Sequence, residues 1–280
     1  MGWLDYERYA VFGLGRSGIA AANLLARHGK QVLASDTRRS EELDAARRDL
    51  PPEVDVVGGG NQLGDAECVV VSPGLRPALQ IFDEVREAGL PVISEIELGW
   101  EAASAPIIGI TGTDGKSTTT RLVEHLLQGV GRQARAGGNL GTPLCEFVEE
   151  VPSDGVIVAE VSAFQLWSTH DFAAHAVGFT NISHDHLDYF DTYSEYVESK
   201  KQLMKNASAD TLGAFNVGDE YLRTWAREFP GRAIAYGGGE SIVSAFEDAL
   251  WLDDGRLVAR LEGEDAFVWL EDVAELPFRG

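Results

Sequence analysis

The sequence predicts an α/β protein with two successive domains, each built on a mostly parallel sheet. Short apolar runs rich in valine and isoleucine, typical of buried strands, alternate with longer runs that have helical spacing. A glycine-rich loop follows an apolar strand near the N-terminus, and a second such loop lies near the middle of the chain. The length of 280 residues agrees with two domains of about 100–200 residues each.

The first domain is expected to alternate five strands with three helices. The strands are expected at residues 9–13, 31–36, 54–57, 68–72 and 91–94. The helices are expected at residues 17–28, 41–49 and 79–88. This order favours a parallel sheet with helices on its faces. Small residues at 101–106 are typical of a linker, so we place the domains at 1–103 and 104–280.

The second domain is expected to repeat this alternation and then to change. Its first strands are expected at residues 107–111, 156–161 and 176–180, with helices at 116–128, 143–149 and 193–206. Beyond about residue 211, strands are expected at 233–236, 257–261 and 266–270, without long helices between them. This pattern predicts that the last strands complete the second sheet and are partly antiparallel.

Composition and charge exclude several classes of function. The chain carries 45 acidic and 23 basic side chains, and a net charge of −22 repels nucleic-acid phosphates and anionic headgroups. The two cysteines, Cys68 and Cys145, are expected to be buried free thiols in a reducing cytosol. The charged N-terminus is unlike a signal peptide, and no run approaches the ~20 apolar residues of a membrane span. We therefore expect a cytoplasmic monomer that neither binds nucleic acid nor inserts into membranes.

The glycine-rich loop at residues 13–18 fits the pattern GxGxxG. It follows a predicted strand and opens a predicted helix, so glycines can bring the backbone and the helix N-terminus close to a phosphate. Asp36 ends the next strand, about twenty residues later, as in a Rossmann-like domain. These local signals leave two interpretations open. One is a nucleotide site, with NAD as one ligand among several, and the other is a set of ordinary strand-to-helix turns.

The loop at residues 109–118 has the Gly-Lys-Ser core of a phosphate-binding loop. Backbone N–H groups of such a loop cradle phosphates, Lys116 meets the outer phosphates and the Ser117 hydroxyl can ligate Mg²⁺. The strict pattern places a glycine where this chain has Ile110, so the loop is a variant. Lys116 is one of only five lysines, which argues against a chance placement. The second domain is therefore predicted to be P-loop NTPase-like.

Three later clusters have competing interpretations. Glu160 ends a buried strand, where a carboxylate can hold Mg²⁺ or can cap the following helix. The segment at 181–188 contains His184-Asp185-His186, which resembles a zinc site but lacks cysteine or further histidine partners. Lys200 follows Tyr196 on a predicted helix, and from the local pattern alone it belongs to a solvated basic face.

Taken in order, these motifs resemble those of the Mur ligase family, the ATP-dependent ligases of peptidoglycan precursor synthesis. The similarity rests on residues 112–118, on Glu160 opening 160–166, on Asn181 to Asp188 and on Tyr196-x-x-x-Lys200, and it covers nearly the whole chain. The ending Phe164-Gln165-Leu166, together with the first glycine-rich loop, most resembles the D-glutamate-adding member.

The resemblance implies which residues bind nucleotide, substrate and metal. The residues expected to bind ATP are Gly112, Thr113, Asp114, Gly115, Lys116, Ser117 and Thr118. Those expected to contact UDP-N-acetylmuramoyl-L-alanine are Arg16, Ser17, Asp36, Thr37, Arg38, Ser72, Gly74, Asn139 and His186. Two Mg²⁺ ions are expected at Ser117, Glu160, His186 and Lys200, the last as a carbamate formed with CO₂. The residues expected to be catalytic are Lys116, Glu160, His186 and Lys200.

The resemblance also implies a reaction, and this chain departs from the family pattern in three ways. An acyl phosphate would form on the substrate, and D-glutamate would attack it. Asp114 replaces the usual Asn and is expected to cap the next helix or to face away, and Ala163 replaces the usual Ser. A third, C-terminal domain is missing, so we expect a truncated chain that is incomplete for turnover. The alternatives are another Mur ligase, a folylpolyglutamate synthetase, and a UDP-sugar-binding module without ligase activity.

Overall fold

The backbone packs into two units that interleave along the chain. A computed structural model describes residues 2–76, 78–183, 189–190, 192–237, 239–253, 256–262 and 264–269. The first unit comprises Met1–Pro106 and Arg132–Phe172, and the second comprises Ile107–Gly131 and Ala173–Gly280. The sequence-based domain boundary at residues 103 and 104 stays a prediction, because these units reflect backbone packing alone.

The first stretch of the chain alternates five strands with helices as predicted, with one helix, Glu95–Ala102, that was not expected. Its strands are β1 (Arg8–Phe12), β2 (Gln31–Asp36), β3 (Asp55–Gly58), β4 (Cys68–Val71) and β5 (Val92–Ser94). Its helices are α1 (Arg16–Arg27), α2 (Asp44–Asp49, preceded by a 3₁₀ turn at Ser40–Leu43), α3 (Ile81–Glu87) and α4 (Glu95–Ala102). All neighbouring strands are parallel, in the order β3-β2-β1-β4-β5. This is the strand order of a Rossmann-like sheet, and it confirms the predicted fold class.

Both faces of this sheet are covered by apolar side chains. Along β1, Tyr9 and Val11 join one buried cluster, which includes Leu24 and Leu25 of α1. The alternate side chains, Ala10 and Phe12, join the cluster on the other face with Phe82 of α3. Because successive residues of a strand point to opposite faces, a strand buried on both sides must be apolar throughout. The run of apolar residues in β1 is the result.

The middle of the chain supplies elements to both units. In chain order these are β6 (Ile107–Thr111), α5 (Lys116–Gly129), β7 (Ala134–Gly138), α6 (Leu144–Phe147, followed by a 3₁₀ turn at Val148–Glu150), β8 (Val156–Glu160) and α7 (Ala163–Leu166). Strands β7 and β8 pair in parallel within the first unit. Cys145 lies in α6, and both cysteines are buried free thiols, as predicted.

The remaining elements complete the second unit. They are β9 (Ala176–Phe179), α8 (Tyr193–Lys201, followed by a 3₁₀ turn at Gln202–Met204), β10 (Leu212–Asn216), α9 (Glu220–Glu228), β11 (Arg232–Tyr236), α10 (Glu240–Val243), β12 (Asp248–Asp253), β13 (Arg256–Leu261) and β14 (Glu264–Trp269). Seven strands of this unit lie in the order β14-β13-β12-β11-β10-β9-β6. The pairs of β12 with β13 and of β13 with β14 are antiparallel, which confirms the mixed character predicted for the last strands. Across the described residues, no helix is long and apolar enough to cross a membrane.

Candidate functional site

The first candidate site lies where β1, β2 and β4 end. Parallel strands place their carboxyl ends at one edge of the sheet, where α/β proteins bind ligands. The turn after β1 carries the 13–18 loop and leads into α1. Gly18 lies so close to that turn that a Cβ there would stand 1.8 Å from the Gly13 carbonyl oxygen. Only glycine fits at position 18, so the tight turn that the motif predicts is present.

Asp36 organises this edge through four hydrogen bonds. Its carboxylate accepts from the Leu14 N–H at 2.7 Å and from the Arg38 N–H at 2.9 Å. The Arg38 guanidinium adds Nε and Nη2 at 3.0 and 2.8 Å. The Arg38 side-chain hydrogen bonds, opposed in part by burial, lower the pKa of Asp36 to about 2. Asp36 is therefore ionised at neutral pH, and it holds both the glycine-rich loop and the Arg38 fork in place.

The other predicted substrate residues of the first domain lie at or beside this edge. Arg38 also donates to the Leu14 carbonyl at 2.8 Å, so its guanidinium lies against the backbone of the 13–18 loop. Ser72 directly follows β4, and its N–H donates to the Phe12 carbonyl at 2.9 Å. Ser17 lies in the first turn of α1, and Thr37 and Gly74 follow β2 and β4. The structure brings these residues together, and their contacts with a ligand stay predictions.

Asn139 and Glu160 form a second polar pair in the first unit. Asn139 follows β7 and Glu160 ends β8, and the Asn139 Nδ2 donates to the Glu160 Oε1 at 2.8 Å. Glu160 is only 2% exposed. Helix α7 is capped by Ser162 and Gln165 in a capping box, so the alternative that Glu160 caps the next helix is wrong.

Arg16 connects the two polar groups of the first unit. Its Nη1 donates to the Gly141 carbonyl at 3.4 Å, so the glycine-rich loop touches the segment that carries Asn139. The predicted contacts Arg16, Asp36, Arg38, Ser72 and Asn139 thus belong to one connected surface. The arrangement offers guanidinium and amide donors to a ligand that carries phosphate and sugar oxygens.

The phosphate loop of the second unit lies between β6 and α5. Gly112 has φ 149°, and a Cβ there would stand 1.8 Å from the Thr180 Oγ1, so the backbone approach requires glycine. The Lys116 Nζ donates to the Thr113 carbonyl at 2.6 Å and folds back over the loop. The first turn of α5 holds Lys116 and Ser117 and contains no acidic residue. A helix N-terminus beside a lysine fits a phosphate, because its N–H groups and dipole favour an anion.

Asp114 is held in this loop through its backbone. Its N–H donates to the Asn181 Oδ1 at 2.9 Å, and its carbonyl accepts from Thr180 and Asn181 at 2.6 and 3.0 Å. The residue is exposed, and α5 has no side-chain cap. The expectation that Asp114 caps the helix is therefore wrong, and its exposed position agrees with the alternative that it faces away.

Lys200 lies directly behind the phosphate loop and is 2% exposed. Its Nζ donates to the Gly112 carbonyl at 2.6 Å and stands 4.5 Å from the centre of the Tyr196 ring. Its neighbour Lys201 instead pairs with Glu228 at 3.0 Å, with 31% of its side chain exposed. The local interpretation of a solvated basic face is therefore wrong for Lys200, because residues four apart on a helix share a face and Tyr196 is also buried.

A hydroxyl network joins this helix to the loop. The Tyr196 hydroxyl lies 2.9 Å from the Thr113 Oγ1, which also accepts from the Ser183 N–H at 2.9 Å. Sequence reasoning named Thr113 only as a phosphate-binding residue and used Tyr196 only for spacing. The sequence does carry a signal for this contact, because Tyr196 stands one helical turn before Lys200 on the same face of the helix.

The expected metal ligands divide into described and undescribed residues. Ser117 and Glu160 supply hydroxyl and carboxylate oxygens, the ligand types that Mg²⁺ prefers. His186, with the zinc alternative at His184 and Asp185, lies outside the described residues. Within the described ranges, no cluster of three or more His, Cys, Asp or Glu side chains could hold a metal ion. The coordination of Mg²⁺ by Ser117 and Glu160 stays a prediction.

Family models match most of the chain. The Mur ligase middle domain matches residues 110–253, and the Mur ligase MurD-like N-terminal domain matches residues 7–94. The N-terminal match includes the loop at residues 13–18, and the middle-domain match includes residues 110–118 of the phosphate loop.

Two curated relatives carry the same ligase name. The chain is 34% identical over 275 residues to a UDP-N-acetylmuramoylalanine–D-glutamate ligase of Symbiobacterium thermophilum, covering 97% of this chain and 60% of the relative. It is 31% identical to the ligase of the same name from Lachnoclostridium phytofermentans, covering 98% of this chain and 60% of the relative. The chain thus spans about 60% of the length of these relatives.

Solved structures show the same fold at low identity. A UDP-N-acetylmuramate:L-alanyl-gamma-D-glutamyl-meso-diaminopimelate ligase from Neisseria meningitides is 18% identical with a TM-score of 0.56, covering 93% of this chain and 86% of that chain. A murein peptide ligase from Psychrobacter arcticus is 16% identical with a TM-score of 0.53, covering 94% of this chain and 61% of that chain. The two family-model matches, with the phosphate loop and the first glycine-rich loop inside them, show that the chain belongs to the Mur ligase family.

Proposed function

We propose that this chain supplies the substrate-binding and nucleotide-binding parts of an ATP-dependent ligase that adds D-glutamate to UDP-N-acetylmuramoyl-L-alanine in peptidoglycan precursor synthesis. The observation that carries the proposal is the phosphate loop with Lys200 buried behind it, in a chain whose curated relatives share this ligase name. The two units support different parts of the proposal, so each is argued separately.

The first unit is proposed to bind the UDP end of the substrate. Arg38, fixed by Asp36, and Arg16, at the Asn139 segment, present cationic forks at the edge of the sheet. Guanidinium groups bind phosphate oxygens in a two-pronged geometry that a single ammonium cannot match. The residues of this unit proposed to contact the substrate are Arg16, Ser17, Asp36, Thr37, Arg38, Ser72, Gly74 and Asn139. His186, a further proposed contact, belongs to the second unit.

The second unit is proposed to bind the phosphates of ATP. The Gly112 backbone and the α5 N-terminus supply N–H donors, and Lys116 supplies a positive charge. Ser117 and the carbamate of Lys200 are proposed to hold Mg²⁺, which when bound neutralises phosphate charge. Glu160 of the first unit and His186 are further proposed ligands. Lys116 would offset the repulsion between the substrate carboxylate and the γ-phosphate.

The proposed chemistry has two steps. The carboxylate oxygen of UDP-N-acetylmuramoyl-L-alanine attacks the γ-phosphorus of ATP, the bond to the β-phosphate oxygen breaks, and ADP leaves. The amine of D-glutamate then attacks the acyl carbon, phosphate leaves, and the amine loses a proton as the amide forms. Residues of this chain hold the phosphates in line during the first step.

Lys200 is proposed to carry a carbamate. The ammonium first loses one proton, and the neutral amine then adds to the carbon of CO₂ and releases a second proton, so the side chain changes from a cation to an anion. The carbamate nitrogen keeps one N–H, which can continue to donate to the Gly112 carbonyl. An anion behind the phosphate loop would then attract Mg²⁺ where a free ammonium would repel it.

Ligand titration tests the proposed function directly. We expect UDP-N-acetylmuramoyl-L-alanine to bind this 280-residue chain clearly in isothermal titration calorimetry. ATP with Mg²⁺ should bind more weakly, and NAD should not bind. A chain that binds NAD more tightly than the UDP-sugar would contradict the proposal. If the UDP-sugar binds but neither nucleotide binding nor D-glutamate-dependent phosphate release is found, the alternative of a UDP-sugar-binding module is favoured.

A further inference from the structure

Glu95 is a fully buried acid that none of the proposed binding or chemical steps uses. It stands in the first turn of α4 and is 0% exposed. Its Oε1 accepts from the Cys145 N–H at 2.7 Å, and the Leu144 N–H also hydrogen bonds to it. The Cys145 Sγ donates in turn to the Glu95 carbonyl at 3.2 Å. Glu95 of α4 therefore contacts the first turn of α6 through both its side-chain carboxylate and its backbone carbonyl.

This carboxylate substitutes for a missing helix cap. Pro143 occupies the N-cap position of α6, and no side chain caps the helix from that position. The first N–H groups of a helix need acceptors, and an anion also interacts favourably with the N-terminal end of the helix. Glu95 supplies both from a distant part of the sequence, so it fixes where α6 begins.

The start of α6 is also the end of the segment that carries Asn139. At the other end of that segment, the Asn139 N–H donates to the Glu160 carbonyl at 2.9 Å and the side chain to the Glu160 Oε1. In between, the Gly138 N–H donates to the Thr142 carbonyl at 2.7 Å, and Gly141 meets Arg16. The 138–143 segment is thus held at its start by Glu160 and at its end by Glu95.

Stability does not explain why an acid stands at this position. Burial, offset in part by the Cys145 and Leu144 hydrogen bonds, raises the pKa of Glu95 to about 7. The ionisable neighbours that act on it are Cys145 and Glu146, and Arg27 and Glu149 lie around Cys145. The Glu95 Oε2 is buried and has no hydrogen-bond partner among the described residues. Proteins commonly break such local rules of stability at functional sites and compensate elsewhere.

We propose that Glu95 is a positioning residue that holds the 138–143 segment, and with it Asn139 and the Arg16 contact, in the geometry that binds the UDP-sugar. The inference rests on the proposed function of the first unit. It predicts that Glu95 affects ligand affinity without touching the ligand.

Glu97 provides a matched control on the same helix. It is also fully buried, and it accepts from the His170 and Asp171 N–H groups at 2.9 and 2.7 Å. The 168–172 segment carries none of the residues proposed to bind ligand. Glu97→Ala therefore removes a buried carboxylate of the same type from α4 and leaves the Asn139 segment anchored.

The test compares the affinity of UDP-N-acetylmuramoyl-L-alanine for three chains at pH 8. We expect Glu95→Ala, which removes the acceptor of the Cys145 N–H, to weaken Kd at least tenfold and Glu97→Ala to stay within twofold of the wild type. Equal affinities of Glu95→Ala and the wild type, or equal losses in both variants, would overturn the inference. A wild type that binds no UDP-sugar overturns the proposed function, and the inference with it.

A second variant keeps the test valid if Glu95→Ala does not fold. Glu95→Asp retains the charge but withdraws the carboxylate from the N–H groups of Leu144 and Cys145. The same loss of affinity is expected, with faster hydrogen exchange at those two amides. Unchanged exchange together with unchanged affinity would refute the positioning role.

Discussion

At the scale of single residues, Lys200 and Lys201 separate two interpretations of one basic dipeptide. Lys200 is buried behind the phosphate loop, whereas Lys201 forms a surface ion pair with Glu228. Exposed ion pairs contribute little to stability, typically about 0–1 kcal/mol. Because the two lysines differ in burial, which no local sequence pattern shows, we expect them to differ in their sensitivity to substitution.

Substitution by arginine tests the carbamate. Arginine cannot add CO₂ and keeps a fixed positive charge, so Lys200→Arg should abolish the carbamate and weaken Mg²⁺-dependent nucleotide binding at least tenfold. Lys201→Arg should change neither. Carbon-13 NMR after equilibration with ¹³C-bicarbonate should show a carbamate signal in the wild type and in Lys201→Arg only. A signal that persists in Lys200→Arg, or that disappears in Lys201→Arg, contradicts the assignment.

The Tyr196 hydroxyl should support the phosphate loop. Tyr196→Phe removes the hydroxyl beside the Thr113 Oγ1 and keeps the ring under Lys200. A hydrogen bond of this kind contributes about 1 kcal/mol, so we expect a several-fold weaker Kd for ATP with Mg²⁺. The control is Tyr193→Phe on the same helix, whose ring lies 6.1 Å from that of Tyr196. Similar effects of the two variants on Kd would argue against the hydroxyl network.

At the scale of elements, helix α4 both packs in the core and hydrogen bonds to two distant segments of the chain. Its apolar side chains Ile96 and Leu98 are buried, but so are the carboxylates of Glu95 and Glu97. Burial also raises the pKa of Glu97, against the hydrogen bonds from His170, Asp171 and Phe172. Each carboxylate holds a different segment of residues 132–172 in place within the first unit.

The raised pKa of Glu95 makes a signed prediction for stability. The folded chain keeps the Glu95 proton up to about pH 7, whereas the unfolded chain loses it near the ordinary value of 4.5. Between those values the folded state binds more protons, so this group lowers the free energy of unfolding as pH rises. The loss is complete above pH 7 and amounts to at most about 3 kcal/mol.

Replacement by glutamine isolates that contribution. Glu95→Gln resembles the protonated acid, so at pH 8 it should unfold at a higher denaturant concentration than the wild type. At pH 4 the two curves should nearly coincide, because Glu95 is then protonated in the folded wild type. Urea unfolding at both pH values measures the difference. A variant less stable than the wild type at pH 8 would show that the carboxylate stabilises the fold after all.

At the scale of the whole molecule, strong local patterns made the architecture predictable. β2 and β6 lie where the apolar runs and flanking turns predict them, because a buried parallel strand must be apolar throughout. β7 was missed because its sequence Ala-Arg-Ala-Gly-Gly has neither β-branched residues nor alternation. α4 was missed because it follows β5 without a connecting loop, and β10, α9 and β12 were not identified either.

The candidate site was predictable only where one segment carries the signal. The phosphate loop and the 13–18 loop are continuous motifs, and glycine fits where close backbone approach requires it. The hydrogen bond between Glu95 and Cys145 joins residues 50 positions apart, and the one between Tyr196 and Thr113 joins residues 83 positions apart. No spacing rule predicts such pairs, because they depend on how helices pack. The burial of Lys200 belongs to the same class.

The central claim is that the first unit binds the UDP-sugar and the second binds the phosphates of ATP. Calorimetric titration of both ligands into Arg38→Ala and Lys116→Ala tests it most directly. Arg38→Ala should weaken UDP-N-acetylmuramoyl-L-alanine at least tenfold and leave ATP with Mg²⁺ unchanged, because Arg38 serves the first unit alone. Lys116→Ala should weaken ATP with Mg²⁺ at least tenfold and leave the UDP-sugar unchanged, since the Lys116 Nζ lies over the phosphate loop. Loss of UDP-sugar binding in Lys116→Ala, with full binding in Arg38→Ala, would contradict the account.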